Sequence, residues 1–457
     1  VLKTQKHSPL TKVSIYAAAA VFSFSLLIAA GHLKLILTAF AYFVSLVFLL
    51  WGLYHLPILA AGLTRMDTAK PADPLSLPTV SILIPAKHEP WVIGRAVNIA
   101  ANHLDYPEGK KEVVVVTEDE ETAMAAMPLA AANPESVKIF FRSAPSRIQT
   151  KPAALDDVVH FTNGEIIAIF DAEDVPDRDV LMKVMPFFDD PKVGAVQGIL
   201  RMGNREDAWL ARMMDLEYAS WFRIHLWGRR KLGFFIPLGG TCCFLRREFL
   251  RGVGWWDSKN LTEDLEVAVR LTFSGYDIKM VEVRSWGEAP IRVGEWMRQR
   301  GRWMRGYLQT FLTYWLPALR NMRRLGFLKT LSMILVLGAP FVMILVPIGY
   351  ALTFLWAVTE VFKLWAPGLM ALTFPRWAVI PLLFNFVFYG AVLAGIVLEN
   401  KNRRNLLWLP TYFLYMFLHI AGLIYAFWLH WTRPLYWAKT EHYGLGWKEH
   451  LSLAPRS

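Results

Sequence analysis

Cysteine is nearly absent: the 457 residues contain two, Cys242 and Cys243, and they are neighbours. Adjacent cysteines seldom reach the geometry of a disulfide, so the sequence implies neither a disulfide framework nor a zinc site. Charge is also sparse. Asp, Glu, Lys and Arg make up 19% of the chain against 54% hydrophobic residues, a balance too apolar for an ordinary soluble protein of this length. Internal repeats and low-complexity stretches are missing too. The long apolar runs in turn have almost no ionisable side chains, which argues against a transporter or channel, because a transport path needs such groups inside its spans.

What charge there is has a sign. The formal net charge of +11 does not point to nucleic acid, because Lys3, Lys6 and Lys12, and later Lys401, Arg403 and Arg404, sit beside apolar runs. Basic residues in those places mark the cytoplasmic flanks of membrane helices. A second basic group, Arg298, Arg300, Arg302 and Arg305, lies in more polar sequence and suits an anionic substrate.

The apolar runs at 13–30 and 35–56 are each long enough to cross a bilayer and are joined by a short link, so they read as a hairpin. The first lacks a convincing signal-peptide cleavage motif. Residues 64–77 are polar and proline-punctuated, as a linker would be. Further apolar runs occupy 331–358, interrupted by Gly338, Pro340 and Pro347, then 377–398 and 406–431. The expected organisation is a transmembrane hairpin over 1–63, a linker over 64–77, a cytoplasmic domain over 78–303, interfacial helices over 304–325, transmembrane helices over 326–431 and a tail over 432–457. Two spans before the domain and three after it would export a tail that carries Arg433, Lys439 and Lys448. Breaking the run at 331–358 into two helices restores that parity but places Lys401, Arg403 and Arg404 outside, against the positive-inside rule. The residues after Trp437 are too few to form a regulatory domain, so control by a partner or by the tail is expected.

In the central domain, β-branched runs at 80–84, 112–116, 137–141 and 166–170 alternate with helical stretches such as 92–103 and 153–161. That alternation predicts an open, Rossmann-like, mostly parallel α/β sheet with ligands at the C-terminal ends of its strands.

Acidic and basic residues collect at those ends. The first strand runs into Pro85-Ala86-Lys87-His88-Glu89, and the second into Thr117-Glu118-Asp119-Glu120-Glu121. Each reads either as a solvated loop or as a nucleotide contact. The buried run 166–170 leads directly into Asp171-Ala172-Glu173-Asp174. Like charges packed at a strand end are costly unless a cation offsets them, and a hard divalent ion shared with a diphosphate would do so. An acidic loop tip remains the plain alternative. Gly239-Gly240-Thr241 is either a connecting turn or a point of close backbone approach to a ligand. Thr262-Glu263-Asp264 opens a helix, with Thr262 or Asn260 as its cap. Asp264 there serves either the helix dipole or the removal of a hydroxyl proton. In Gln299-Arg300-Gly301-Arg302-Trp303, a guanidinium suits a diphosphate and an indole suits a sugar face.

Taken in order, these motifs resemble those of the membrane-bound family 2 glycosyltransferases, the group of cellulose, chitin, hyaluronan and glucomannan synthases, over about residues 78–303. The resemblance implies a GT-A domain and inverting transfer of a sugar, from a UDP-sugar in most members, with Mn²⁺ or Mg²⁺. It assigns Pro85 and Glu89, then Glu118 and Asp119, to the uridine, Lys151 to the nucleotide, and Asp171 and Glu173 to diphosphate and metal. Gly240 and Thr241 fall near the acceptor sugar, and Thr262-Glu263-Asp264 matches a catalytic motif in which Asp264 is the base and Glu263 its neighbour. Gln299, Arg302 and Trp303 match Gln-x-x-Arg-Trp, which holds the leaving diphosphate and the acceptor. Two positions depart from the pattern: Glu173 stands for the second Asp of Asp-x-Asp, and Glu118 for one of an Asp-Asp pair. Metal binding then falls to Glu173 through its longer stem, or to Asp174.

The Asp-Ala-Glu-Asp form is most similar to bacterial exopolysaccharide-type members. The resemblance therefore implies a multi-pass enzyme of a bacterial inner membrane that extends a polysaccharide processively on the cytoplasmic face, with an accessory export subunit as a partner. The alternative is one-step transfer of a sugar to a lipid-linked acceptor, since a membrane anchor serves a lipid substrate equally well.

Overall fold

The computed structural model describes residues 20–26, 33–68, 76–143, 149–365, 380–399 and 403–432. Most of the first expected span, the proline-rich centre of the linker and the basic tail lie outside them. The chain divides into two compact units, 1–53 with 345–385, and 54–344 with 386–457. The smaller holds most of the apolar helix Leu33–Gly62 and of the helix Ala339–Trp365.

The larger unit is built on an eight-stranded sheet of order β3-β2-β1-β4-β7-β6-β8-β5. Its strands are β1 (Val80–Pro85), β2 (Lys111–Thr117), β3 (Val137–Phe141), β4 (Ile166–Ile169), β5 (Val175–Pro176), β6 (Val193–Met202), β7 (Cys243–Arg246) and β8 (Asp277–Gly287). The first four pair in parallel, as the alternation of strand and helix predicts. Their Val and Ile side chains are buried, apart from the half-buried Ile139 on the edge strand β3, and each fully buried one stabilises the fold by about 1.5–3 kcal/mol. The second half of the sheet is mixed: β7 runs antiparallel to both β4 and β6. Acidic loops consequently leave the C-terminal ends of β1, β2 and β4 side by side, and the site lies above them.

The expected boundary at Trp303 falls inside one continuous helix, Val293–Arg320. This helix packs against the apolar helix Leu409–Thr432 at two glycines. A Cβ on Gly301 would lie 2.8 Å from the Tyr425 ring, and one on Gly422 would lie 3.3 Å from the Arg300 Cβ. Among the described residues two helices are long and apolar enough to cross a membrane, Thr38–Gly62 and Asn405–Thr432. The pair Phe327–Leu337 and Ala339–Val346, bent by 54° at Gly338, makes a third if counted as one span. The bend falls at Gly338 and Pro340, whereas the third interruption of that run, Pro347, lies within the helix Ala339–Trp365.

Candidate active site

The strand ends and three helices enclose a cleft of about 260 Å³. It is lined by Pro85, Glu89, Glu118, Lys151, Asp171, Glu173, Gly240, Thr241, Glu263, Asp264, Gln299, Arg302 and Trp303, so residues more than two hundred positions apart meet in one place.

On the β1–β2 side, the Glu118 carboxylate takes Lys87 at 2.5 Å and Arg142 at 2.9 Å. Asp119 is not among the lining residues. Its carboxylate caps the following helix, Glu120–Ala132, by accepting the Thr122 N–H at 2.9 Å, and also accepts the His88 N–H at 2.7 Å. Burial opposes ionisation, but these donors outweigh it and hold Asp119 below the usual carboxylate range. The second acidic motif thus splits into one residue facing the cleft and one shaping the loop beside it.

At the centre, Lys151 opens its own helix and sends Nζ to Asp171 Oδ1 at 2.5 Å and to the Gly240 carbonyl at 2.9 Å, with Glu263 Oε1 at 3.8 Å. One ammonium thereby ties three sequence motifs together. Asp174 takes another route: it is buried and accepts the Thr241 hydroxyl and, at 3.3 Å, the Asp171 N–H. Burial, with the charge of Asp171 beside it, raises Asp174 to about 7. Its carboxylate is engaged in holding the turn.

Thr262 precedes the helix Glu263–Phe273 but makes no side-chain cap, and Asn260 instead accepts the Thr262 N–H at 2.9 Å. Thr262 thus takes the expected N-cap position without a side-chain capping hydrogen bond. Thr262 packs on Gly306 so closely that a Cβ at 306 would overlap its hydroxyl, and this contact presses the two functional helices together. Asp264 lies in the first helical turn and also lines the cleft, so its two readings coexist. Burial, then the Glu263 charge, raises its carboxyl to about 7, which suits a general base near neutral pH. Gly240 has φ +76°, and a Cβ there would lie 3.0 Å from Asp264 Oδ2. Glycine is required on both counts.

From the long helix, Gln299, Arg302 and Trp303 line the cleft one turn apart. The Gln299 Oε1 has no hydrogen-bond partner among the described residues although the side chain is 7% exposed. Arg300 points elsewhere. It is clamped bidentately by Glu217 at 2.6 and 2.7 Å and lies over the rings of Trp303 and Trp296, at 4.6 and 5.2 Å from their centroids. Tyr415, on the helix Leu409–Thr432, donates to Glu217 at 2.5 Å. Burial opposes it, yet Arg300 draws Glu217 down to about 2.

Four aromatic lining residues have no place in the expected set. Tyr307 follows Trp303 by four positions on the same helix, so the 3.6-residue period would have found it. Tyr218, Trp221 and Phe222 come from an aromatic-rich segment whose π-helical stretch, Ala219–Leu226, has no evident sequence signal.

Residues 78–306 match the model of the glycosyltransferase-like family 2, half of the chain. The chain belongs to that family. A β-monoglucosyldiacylglycerol synthase of Nostoc is 35% identical over 266 residues, 57% of this chain and 55% of that protein. A poly-β-1,6-N-acetyl-D-glucosamine synthase of Staphylococcus epidermidis is 29% identical over 174 residues, 37% of this chain and 42% of that protein. The chain thus spans about half the length of the curated relatives it matches. Among solved structures, a mannosyltransferase of Pyrobaculum calidifontis, in complex with GDP-mannose and Mn²⁺, superposes with a TM-score of 0.54 at 20% identity, covering 87% of this chain and 97% of that one. That likeness establishes the GT-A-like, mostly parallel fold for this family 2 member.

Among the described residues, no group of three or more His, Cys, Asp and Glu side chains is arranged to hold a metal by itself. The donors in the cleft still fit a hard divalent ion. Mg²⁺ and its kin commonly take one or two carboxylates and complete their shell with substrate phosphates and water. Asp171, Glu173 and Asp174 all line the cleft, and of the three Asp174 is engaged as acceptor of the Thr241 hydroxyl.

Proposed function

We propose that this family 2 glycosyltransferase transfers a single hexose, with inversion, from a UDP-sugar to a hydroxyl of a lipid acceptor at the cytoplasmic face of a bacterial membrane. The observation that carries the reading is Asp264, raised to about 7 beside Gly240 in a cleft that also holds Lys151 and Arg302. The nucleotide lies along β1 and β2, where Pro85 and Glu89 line the cleft and Glu118 orders Lys87 and Arg142. Asp264 takes the acceptor proton, the freed oxygen attacks the anomeric carbon from the opposite face, and the bond to the diphosphate breaks with its electron pair leaving on phosphate oxygen. Arg302 and Lys151 offset that charge as fixed cations. Asp171 and Glu173 would hold a Mn²⁺ or Mg²⁺, which would supply further neutralisation of the diphosphate.

Two things support a lipid acceptor. Trp303, the acceptor platform, is linked through Arg300 and Glu217 to Tyr415 on a helix of membrane-crossing length. The Nostoc relative carries the name of a synthase whose product is a glycosylated diacylglycerol. A second reading, processive polysaccharide synthesis with an export partner, is supported by Gln299-x-x-Arg302-Trp303 and by the Staphylococcus relative.

The test is incorporation of label from a panel of UDP- and GDP-sugars by the full chain in lipid vesicles containing diacylglycerol, with Mn²⁺ or Mg²⁺. One labelled glycolipid of fixed mass supports the first reading. High-mass product replaces it with the second, and loss of all activity on chelation, restored by Mn²⁺, supports the metal assignment.

A further inference from the structure

The cleft has a wall that the proposed chemistry does not use. Met214, Tyr218, Trp221, Phe222 and Leu238 line it, and apart from the Tyr218 hydroxyl and the Trp221 indole they offer no hydrogen-bonding group. Met214, Phe222 and Leu238 are buried at 2%, 1% and 5% exposure. This wall is continuous with the reacting centre. The Tyr218 ring lies 6.4 Å from Trp303 and 5.5 Å from Phe222, centroid to centroid. The Phe222 ring then abuts Gly239, where a Cβ would come within 2.8 Å of it, and the next residue, Gly240, faces Asp264.

The same segment has a second face. A π-helical stretch carries one more residue per turn than an α-helix, which rotates the positions following Tyr218 relative to an α-helical path. The back of the segment is pressed on apolar helices at bare backbone: Gly62 meets the Ile224 carbonyl, Gly228 meets that of Ile58, and a Cβ on Gly395 would lie 2.8 Å from the Ser220 nitrogen. Gly62 ends the candidate span Thr38–Gly62, and Gly395 lies in the apolar helix Tyr389–Glu399. One short segment therefore presents aromatic rings to the cleft and rests against membrane-type helices.

We infer that Met214, Tyr218, Trp221, Phe222 and Leu238 form an acceptor subsite that holds the apolar glyceride portion of a lipid while its free hydroxyl reaches Asp264. The inference rests on the lipid-acceptor reading. A saccharide can lay a C–H face on these rings, but its hydroxyls also need donors and acceptors around them, whereas the thioether and alkyl surface of Met214 and Leu238, continuous with the rings, gains by excluding water from acyl and glyceryl groups. Gln299 Oε1, which has no hydrogen-bond partner among the described residues, lines the same cleft and suffices for a single hydroxyl.

The experiment uses the full chain in phosphatidylcholine vesicles with a diacylglycerol that carries a diazirine on the first acyl carbons and with labelled UDP-glucose. Photolabelled peptides are located by mass spectrometry, and product is measured in parallel. The expected result is label within 209–238, and for Met214→Gln an acceptor KM raised about tenfold with the UDP-glucose KM unchanged, as loss of an apolar contact requires. Met214→Leu, which stays apolar, retains both the label and the KM. Glycolipid formed with label confined to other peptides overturns the subsite and leaves the lipid reading intact. Extension of a saccharide with no glycolipid overturns the lipid reading and the subsite with it.

Discussion

Gly240 and Asp264 stand so close that a single added methyl on the glycine would come within 3.0 Å of the carboxylate oxygen assigned as the base. The same carbon would lie 3.8 Å from the Lys151 ammonium, at a backbone φ of +76°. Gly240→Ala therefore strains the turn and displaces the base together. It is expected to lower kcat by about tenfold or more, with a small change in the nucleotide-sugar KM. Steady-state kinetics on the variant check this.

Asp264 also makes a prediction about pH. With its carboxyl raised to about 7 by burial and by Glu263, the ionised base is lost below neutrality, so kcat/KM climbs through about pH 7. Stability runs the other way. The group holds its proton more tightly folded than unfolded, so stability falls as pH rises from the ordinary carboxylate range to about 7. Asp264→Asn, which carries no charge, is expected to show a higher Tm than the native chain at pH 8 and no gain at pH 4.

Arg300 is a positioning residue. Its guanidinium fork is held by Glu217 and stacked on Trp303, so Arg300→Lys keeps the charge but loses both geometries. Acceptor KM should rise about tenfold while the donor KM holds within about twofold. Tyr415→Phe, which removes only the hydroxyl on Glu217, should move the same constant in the same direction. Equal changes in both KM values would mark Arg300 as a structural support alone.

The first four strands are legible because short runs rich in Val, Ile and Phe, interrupted only by Ser81 in β1 and Lys138 in β3, are what a largely covered parallel sheet demands. The later strands were less so. β6 is buried throughout yet contains Gln197 and Arg201, which break the apolar run. Gln197 is satisfied mainly by distant backbone, the carbonyls of Thr241 and Cys242 and the Gly239 N–H, besides the adjacent Gly198 carbonyl, and Arg201 by Asp215 and Glu399. Such long-range pairing leaves no local trace. β8 did carry a signal, an alternation of charged and apolar residues over 277–284. The cleft residues were found where charge was anomalous for its setting. Tyr218, Trp221 and Phe222 went unread because an aromatic residue in a helix looks like core, and Asp119 was misplaced because capping and nucleotide binding call for the same residue at the same loop.

Glu399 gathers three cations on a side chain that is 1% exposed: Arg284 at 2.9 Å, Arg201 at 3.5 Å and Arg223 at 3.9 Å. It thereby fastens the end of the helix Ile380–Glu399 to β6 and β8. Glu399→Gln removes the anion that these cations share, leaving Arg201 to Asp215 and Arg284 to the more exposed Glu282, at a cost of about 3 kcal/mol. Thermal unfolding in detergent should show the loss as a clear fall in Tm.

The most direct test of the account is the turnover of Asp264→Asn with UDP-sugar and diacylglycerol vesicles, measured beside UDP binding by the same preparation. The account predicts turnover lower by at least about 10²-fold with UDP affinity retained, since the variant keeps the shape of the side chain and loses only the base. Turnover equal to that of the native chain would remove Asp264 from the chemistry and contradict the mechanism.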